Sequence, residues 1–252
     1  MITADKPCNI WNKVFGAEGF TTEVKLSEQE LGIVRSLIIK QWLEVIERAY
    51  PEKVKVFEAI GMEHYHEKAD LIDHKAIWPK VARILSKPAM EAMCAMSFFK
   101  KMETEFGKCE VSQEEKSGWG EIYWRIVRPN AKDDIGPLHA DAWFWELGHG
   151  EKPNEKDRVK IWIPVYCEPG FNGLRVVPGS HLQDWDFHGE KRDGFVKPQF
   201  DEKASGVVAQ LLNTEPGQMV IFNDKLLHGG ALNQGMKTRV SVEMTLLFQK
   251  KN

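Results

Sequence analysis

Apolar positions change their period once along this chain, near residue 119. Upstream they recur at helical spacing. Leu31, Val34, Leu37, Ile38, Leu43, Val45 and Ile46 follow the 3.6-residue period closely enough to predict an amphipathic helix. Ser27-Glu28-Gln29-Glu30 stands directly before it, with Ser27 as N-cap and Glu30 three residues on. Such a capping box satisfies two backbone N–H groups reciprocally. Pro51 ends the helix after Tyr50. Residues 14–26 read as a short lead-in, 54–60 as a short helix, and 64–74 as polar and irregular. Ser86-Lys87-Pro88 opens one long helix, since proline is tolerated in a first turn, and Gly107 closes it. Met90, Met93, Cys94, Met96, Phe98 and Phe99 supply its apolar side. Methionines at such positions are core filler.

Downstream the period is two. Strands are predicted over 120–127, 159–166, 173–177, 206–212, 218–222 and 238–248. Pro169-Gly170, Asn172-Gly173, Glu215-Pro216-Gly217 and Asn233-Gln234-Gly235 separate them as turns. Short strands at near-even spacing argue for a sandwich or barrel. The expected architecture is mainly β with N-terminal helices: one domain over 1–252, largely helical over 1–118, with a jelly-roll core over 119–252. Residues 184–203 break the rhythm with mixed charges and aromatics. A loop this long is either a lid over a site or a solvated excursion.

Composition narrows the setting. The 252 residues suffice for a substantial core. Lys plus Arg is 34 and Asp plus Glu is 37, so the formal net charge is -3, and no run of like charge dominates. That argues against nucleic-acid and polybasic membrane surfaces. Cys8, Cys94, Cys109 and Cys167 show no zinc-type spacing and read as free thiols in a reducing compartment. Residues 1–10 lack the apolar core of a signal peptide, and no apolar run approaches transmembrane length. The expectation is a cytoplasmic protein that takes a small-molecule substrate. Monomer and homodimer both remain open.

The candidate chemistry lies in Gly136-Pro137-Leu138-His139-Ala140-Asp141-Ala142-Trp143. Residues i and i+2 of an extended segment point to one face, so His139 and Asp141 can converge. His228, in Leu227-His228-Gly229-Gly230, offers a second imidazole. Two histidines and one carboxylate with open positions are the ligand set of non-haem Fe(II) oxygenases. His188-Gly189-Glu190 and His64-Tyr65-His66 compete as matches. Arg239 and Ser241 on the last strand also share a face. An arginine pointing into a barrel needs a partner. The distal carboxylate of a dicarboxylate cosubstrate provides one, with a hydroxyl bond from Ser241. The competing reading is a structural arginine paired with Glu243.

These pieces together resemble the phytanoyl-CoA dioxygenase-like family of Fe(II)/2-oxoglutarate oxygenases. Residues 15–31 look like its opening, and Leu138-His139-Ala140-Asp141 like its proximal metal motif. Trp162-Ile163-Pro164-Val165 and Arg175-Val176-Val177-Pro178-Gly179-Ser180-His181 look like its central strands and turn. Residues 217–222, His228 and Arg239-Val240-Ser241 look like its distal half. The resemblance implies a double-stranded β-helix, Fe(II) on His139, Asp141 and His228, and 2-oxoglutarate anchored by Arg239. Trp162 resembles a position near the cosubstrate, and Arg125 is a looser candidate for that pocket. His181 reads as a turn residue. Related halogenases replace the carboxylate with a small residue; Asp141 fills that place, so hydroxylation or a related oxidation is implied. That reaction consumes O2 and releases succinate and CO2. Trp143, Phe144, Trp145 and His149 are expected on the substrate side. The alternative class is a jelly-roll binding protein, or a cupin-like metal protein such as an isomerase.

Overall fold

A computed structural model describes residues 9–150, 155–192 and 195–250. Cys8 and the rest of residues 1–8 lie outside these, as do 193–194 within the aromatic-charged stretch. The helices are α1 (Ile10–Val14), α2 (Glu28–Ala49), α3 (Val54–Ile60), α4 (His74–Ile77), α5 (Lys87–Cys94), α6 (Ser97–Phe106), α7 (Asp141–Glu146) and α8 (Glu202–Ser205). The strands are β1 (Phe20–Thr21), β2 (Cys109–Val111), β3 (Tyr123–Val127), β4 (Lys156–Tyr166), β5 (Leu174–Val176), β6 (His188–Arg192), β7 (Phe195–Gln199), β8 (Gln210–Leu211), β9 (Val220–Asn223), β10 (His228–Gly230) and β11 (Arg239–Gln249).

Two antiparallel sheets form the core. The larger runs β1-β9-β4-β11-β2, with β3 also on β11, and the smaller runs β10-β5-β8. An isolated bridge between His139 and His228 extends the smaller sheet by one rung. The double-stranded β-helix is therefore present. Its edges borrow β1 and β2 from the N-terminal half, so the helical and β parts interleave.

Alternation along the strands separates two environments. Val240, Val242, Met244, Leu246 and Phe248 of β11 share one buried cluster with Val159, Ile161, Ile163 and Val165 of β4. Leu31, Val34, Ile38, Trp42 and Ile46 of α2 belong to the same cluster. Helices thus cover the outer face of the large sheet. Trp42 is fully buried, and truncating such a side chain to alanine costs about 3–5 kcal/mol. The inner face carries Arg239, Ser241, Glu243 and Thr245 of β11, opposite Arg125 and Tyr123 of β3 and Pro164, Trp162 and Lys160 of β4. Trp162 packs there with Leu174 and Val176 of the small sheet. The extra residue on β4 at Val165, between the Val240–Tyr166 and Ser241–Pro164 pairs, leaves β11 regular. Arg239 and Ser241 keep one face.

The capping box forms as expected. The Glu30 amide donates to Ser27 Oγ at 3.2 Å, and the Ser27 amide donates to Glu30 Oε2 at 3.0 Å. The long helix expected from Lys87 to Phe106 is instead two helices, α5 and α6. Met96 is extended between them. Glu30 of α2 is the cause: its Oε1 accepts from the Ser97 amide at 2.8 Å and from Ser97 Oγ at 2.7 Å. A tertiary carboxylate there caps a new helix start. Residues 62–71 form a 3₁₀ helix rather than an irregular stretch. Within 184–203, β6 and β7 pair as a hairpin, and the long-loop reading is corrected accordingly. Among the described residues no helix is long and apolar enough to cross a membrane. Cys94, Cys109 and Cys167 are free.

Candidate metal centre

His139 and Asp141 are joined by one extended residue, Ala140 (φ -105, ψ 137). The extended geometry ends there, because Asp141 is already the first residue of α7. The turn into the helix follows from the Ala142 amide donating to the Asp224 carbonyl at 2.8 Å. His228 opens β10 across from His139. The ligating atoms of His139, Asp141 and His228 all lie within 4.8 Å of one another. His139 Nε2 is 3.7 Å from Asp141 Oδ1, and His228 Nε2 is 3.7 Å from Oδ2.

Both imidazoles are oriented in the same way. His139 Nδ1 lies 3.0 Å from the Pro137 carbonyl, and His228 Nδ1 lies 2.9 Å from the Leu226 carbonyl. A carbonyl only accepts, so each Nδ1 carries the proton and each Nε2 keeps its lone pair. Among the described residues neither Nε2 has a hydrogen-bond partner; each approaches only the Asp141 carboxylate. Burial pushes His228 down to about 4, so it is neutral near pH 7. Burial also pushes the Asp141 carboxyl up, but Lys160, His228 and His139 together hold it below its ordinary value. Asp141 Oδ2 is buried without a hydrogen bond. Lys160 Nζ lies 3.4 Å away, close enough for charge attraction but not aligned to donate. An orphaned carboxylate oxygen facing two imidazole lone pairs fits a divalent metal and little else.

The inner sheet face that presents Lys160 to Asp141 also carries an arginine without a carboxylate among the described residues. Arg239 is 2% exposed. Its Nη1 donates to the Gly173 carbonyl at 2.6 Å, and its Nε has no partner. The guanidinium lies over the Trp162 ring, 5.7 Å from the centroid. Burial lowers its pKa to about 10, still charged near neutrality. Glu243, the rival partner, is taken by Arg125, whose Nε donates to Oε1 at 2.9 Å. Ser241 is buried on the Arg239 face, paired with Arg125 across β3 and with Pro164 across β4.

The aromatic residues after the metal motif divide their tasks. Trp143 is buried, stacked on Phe187 with centroids 4.7 Å apart, and packs on Phe200 at 5.6 Å. Trp145 is buried under the Arg158 guanidinium at 5.0 Å. Arg158 is itself paired with Asp224, its Nε donating at 2.7 Å. Phe144 is the ring that meets the ligand set, edge-on to His139 at 5.4 Å and to His149 at 5.6 Å. His149 Nε2 contacts the Val196 carbonyl of β7. His181 sits in a 3₁₀ turn, its Nε2 donating to the Gly16 carbonyl at 2.8 Å. His188 lies on the hairpin and His64 contacts Glu67; neither joins the triad. Sequence reading missed Lys160 and named Glu243 only as a rival partner for Arg239. Their signal was charge at alternate positions of otherwise apolar strands.

Fold and donor set define an oxygenase of the non-haem, Fe(II)- and 2-oxoglutarate-dependent class. The chain belongs to the phytanoyl-CoA dioxygenase (PhyH) family, which it matches over residues 39–241. Solved structures share the fold. "Non-heme monooxygenase, ThoJ-Ni complex" is 14% identical with a TM-score of 0.51, covering 92% of this chain and 74% of that one. EctD from S. alaskensis with bound Fe is 14% identical with a TM-score of 0.55, covering 94% and 75%. EctD with 2-oxoglutarate and 5-hydroxyectoine is 13% identical with a TM-score of 0.53, covering 94% and 74%. Comparison with curated proteins finds no match.

Proposed function

We propose that the protein hydroxylates a small molecule, with His139, Asp141 and His228 as iron ligands and Arg239 as the anchor of 2-oxoglutarate. The observation that supports this reading is the buried Arg239, without a carboxylate partner among the described residues, on the sheet face whose Lys160 reaches Asp141 of the triad. A 2-oxo dicarboxylate answers both features at once: one end chelates a metal and the other pairs with a guanidinium. The EctD structures with bound Fe and with 2-oxoglutarate share this fold and support the assignment.

Bound iron and 2-oxoglutarate supply the oxidising chemistry, consuming O2 and releasing succinate and CO2. The chain's own residues supply position. The Pro137 and Leu226 carbonyls fix both imidazole tautomers. Lys160 holds the charge of Asp141. Trp162 flattens the wall beside Arg239, and Ser241 offers a hydroxyl on that face. Asp141 stands where the related halogenases carry a small residue, by the family resemblance, which favours hydroxylation. The test is anaerobic addition of Fe(II) and 2-oxoglutarate, with a weak visible charge-transfer band expected, followed by a metabolite screen for succinate above background. No band and no succinate would return the protein to the metal-binding or isomerase class.

A further inference from the structure

Arg125 differs from every other charge on the inner face of the large sheet. Its strand neighbours Trp124 and Ile126 are buried in the helix-side core, so its side chain projects the other way, into the hollow between the sheets. Yet 44% of that side chain is accessible, while Tyr123 and Val127 on the same face are buried. Arg125 is therefore the charge on this face that solvent or a solute reaches most readily. Only its Nε is engaged, by Glu243. Nη1 and Nη2 make no hydrogen bond to a described residue.

Charges alternate outward from the metal centre. Asp141 faces Lys160 at 3.4 Å. Burial pushes the Glu243 carboxyl up, but Arg125 and Lys160 hold it well below the usual carboxylate range. Arg125 follows, bonded to Glu243. The order is negative, positive, negative, positive, and the last member has its fork open. The row begins at a proposed iron ligand and ends at Arg125, on the inner face of the large sheet. Off the row, Arg158 pairs with Asp224 and Lys80 with Glu114, while Arg83 is held by the Trp78 and Trp124 carbonyls and Arg239 by the Gly173 carbonyl.

We propose that a carboxylate of the substrate takes the next place in this row, on Arg125 Nη1 and Nη2. The substrate is then a small carboxylic acid, and Arg125 is the residue that selects acid over neutral analogue. A planar carboxylate matches the two parallel donors of a guanidinium edge. Glu243 holds Arg125 by Nε and keeps that edge turned to the hollow. Lys160 in turn balances Glu243. Arg239 keeps the cosubstrate and Arg125 takes the substrate. The assignment rests on the oxygenase reading of the site.

The experiment uses matched acid–amide pairs, hexanoate with hexanamide and 3-phenylpropanoate with 3-phenylpropanamide. Binding is read twice: as perturbation of the visible band of the anaerobic Fe(II)–2-oxoglutarate protein, and by calorimetry on the metal-free protein. Each acid is expected to bind roughly tenfold to a hundredfold more tightly than its amide. Arg125→Gln abolishes the preference and leaves 2-oxoglutarate affinity within about threefold. Glu243→Gln strengthens acid binding by removing a neighbouring negative charge. The double variant Arg125→Gln/Glu243→Gln leaves no unpaired charge between them and again shows no preference. Equal binding within each pair in the wild type, undetectable binding of both included, overturns the proposal. So does an Arg125→Gln loss of 2-oxoglutarate as large as that of Arg239→Ala. A band without acid preference sinks the receptor alone. Acid preference without a band sinks the oxygenase reading and leaves the receptor standing.

Discussion

His139 and His228 are bonded to each other through their backbones. Each amide donates to the other's carbonyl at 2.9 Å, and the rings lie 4.5 Å apart. They form a hydrogen-bonded antiparallel pair whose side chains share one face. The ladder needs only main-chain atoms, so it survives loss of either ring.

His139→Ala or His228→Ala should therefore abolish Fe(II) binding and turnover with the fold intact. Anaerobic Fe(II) titration, with circular dichroism as the fold control, checks this. His188→Ala and His64→Ala should bind iron like the wild type. Full turnover in either triad variant would end the site assignment.

Lys160 and Asp141 form a largely buried pair, with side chains 9% and 13% exposed. Lys160→Met leaves the carboxylate without its cation. Breaking one side of such a pair costs about 3–5 kcal/mol. In a chain of this size each kcal/mol shifts the melting temperature by roughly 2–4 °C. The loss should be large in the metal-free protein and smaller with Fe(II) bound, since the metal then takes the Asp141 charge. Equal losses with and without metal would mean that Lys160 does not stand against Asp141.

Asp134 ties the helical layer to the loop leading to His139. The Arg128 guanidinium donates to it twice, at 2.9 and 2.8 Å, its amide once at 2.8 Å, and His74 Nε2 lies 3.4 Å away. His74 Nδ1 in turn contacts the Tyr65 hydroxyl at 2.7 Å. Burial pushes the Asp134 carboxyl up, but the bonds from Arg128 and His74 hold it well below its ordinary 3.8. A depressed carboxyl stabilises the fold fully above its unfolded pKa, and that share is lost as pH falls through the folded value. Melting temperature should drop progressively as pH falls below about 4. Asp134→Asn should be about 3 kcal/mol less stable at pH 7 and show a flatter acid limb. Parallel acid limbs in the two proteins would place the acid sensitivity elsewhere.

The legible parts were those whose signal is local. Ser27 and Glu30 announce a helix start by spacing alone, and β4 and β11 announce themselves by alternation. The grouping of His139, Asp141 and His228 was legible because two of them sit two apart and the third precedes two glycines. The α5–α6 break was not, because its cause is Glu30 reaching Ser97 from 67 residues away. The β6–β7 hairpin was hidden by charges on both faces, which carry no buried stripe. Trp143, expected on the substrate side, stacks on Phe187, and Phe144 lies edge-on to His139; neither contact is visible in the order of residues. The Asp141–Lys160–Glu243–Arg125 row was invisible because strand pairing, not sequence distance, assembles it.

Arg239 separates an oxygenase from other jelly-roll metal proteins. It is 2% exposed, with Nη1 on the Gly173 carbonyl, and Glu243 is committed to Arg125. If the distal carboxylate of 2-oxoglutarate is its partner, Arg239→Ala leaves that carboxylate buried and alone. One side of such a pair is worth about 3–5 kcal/mol. At about 1.4 kcal/mol per tenfold, 2-oxoglutarate should bind on the order of a hundred- to a few thousand-fold more weakly. Fe(II) affinity should change little, because Arg239 is outside the triad. Arg239→Lys should recover only part of the loss, since an ammonium restores the charge without the planar fork. Titration of the anaerobic Fe(II) protein with 2-oxoglutarate decides the matter. Wild-type affinity in Arg239→Ala would make Arg239 structural and remove the main physical support for the cosubstrate.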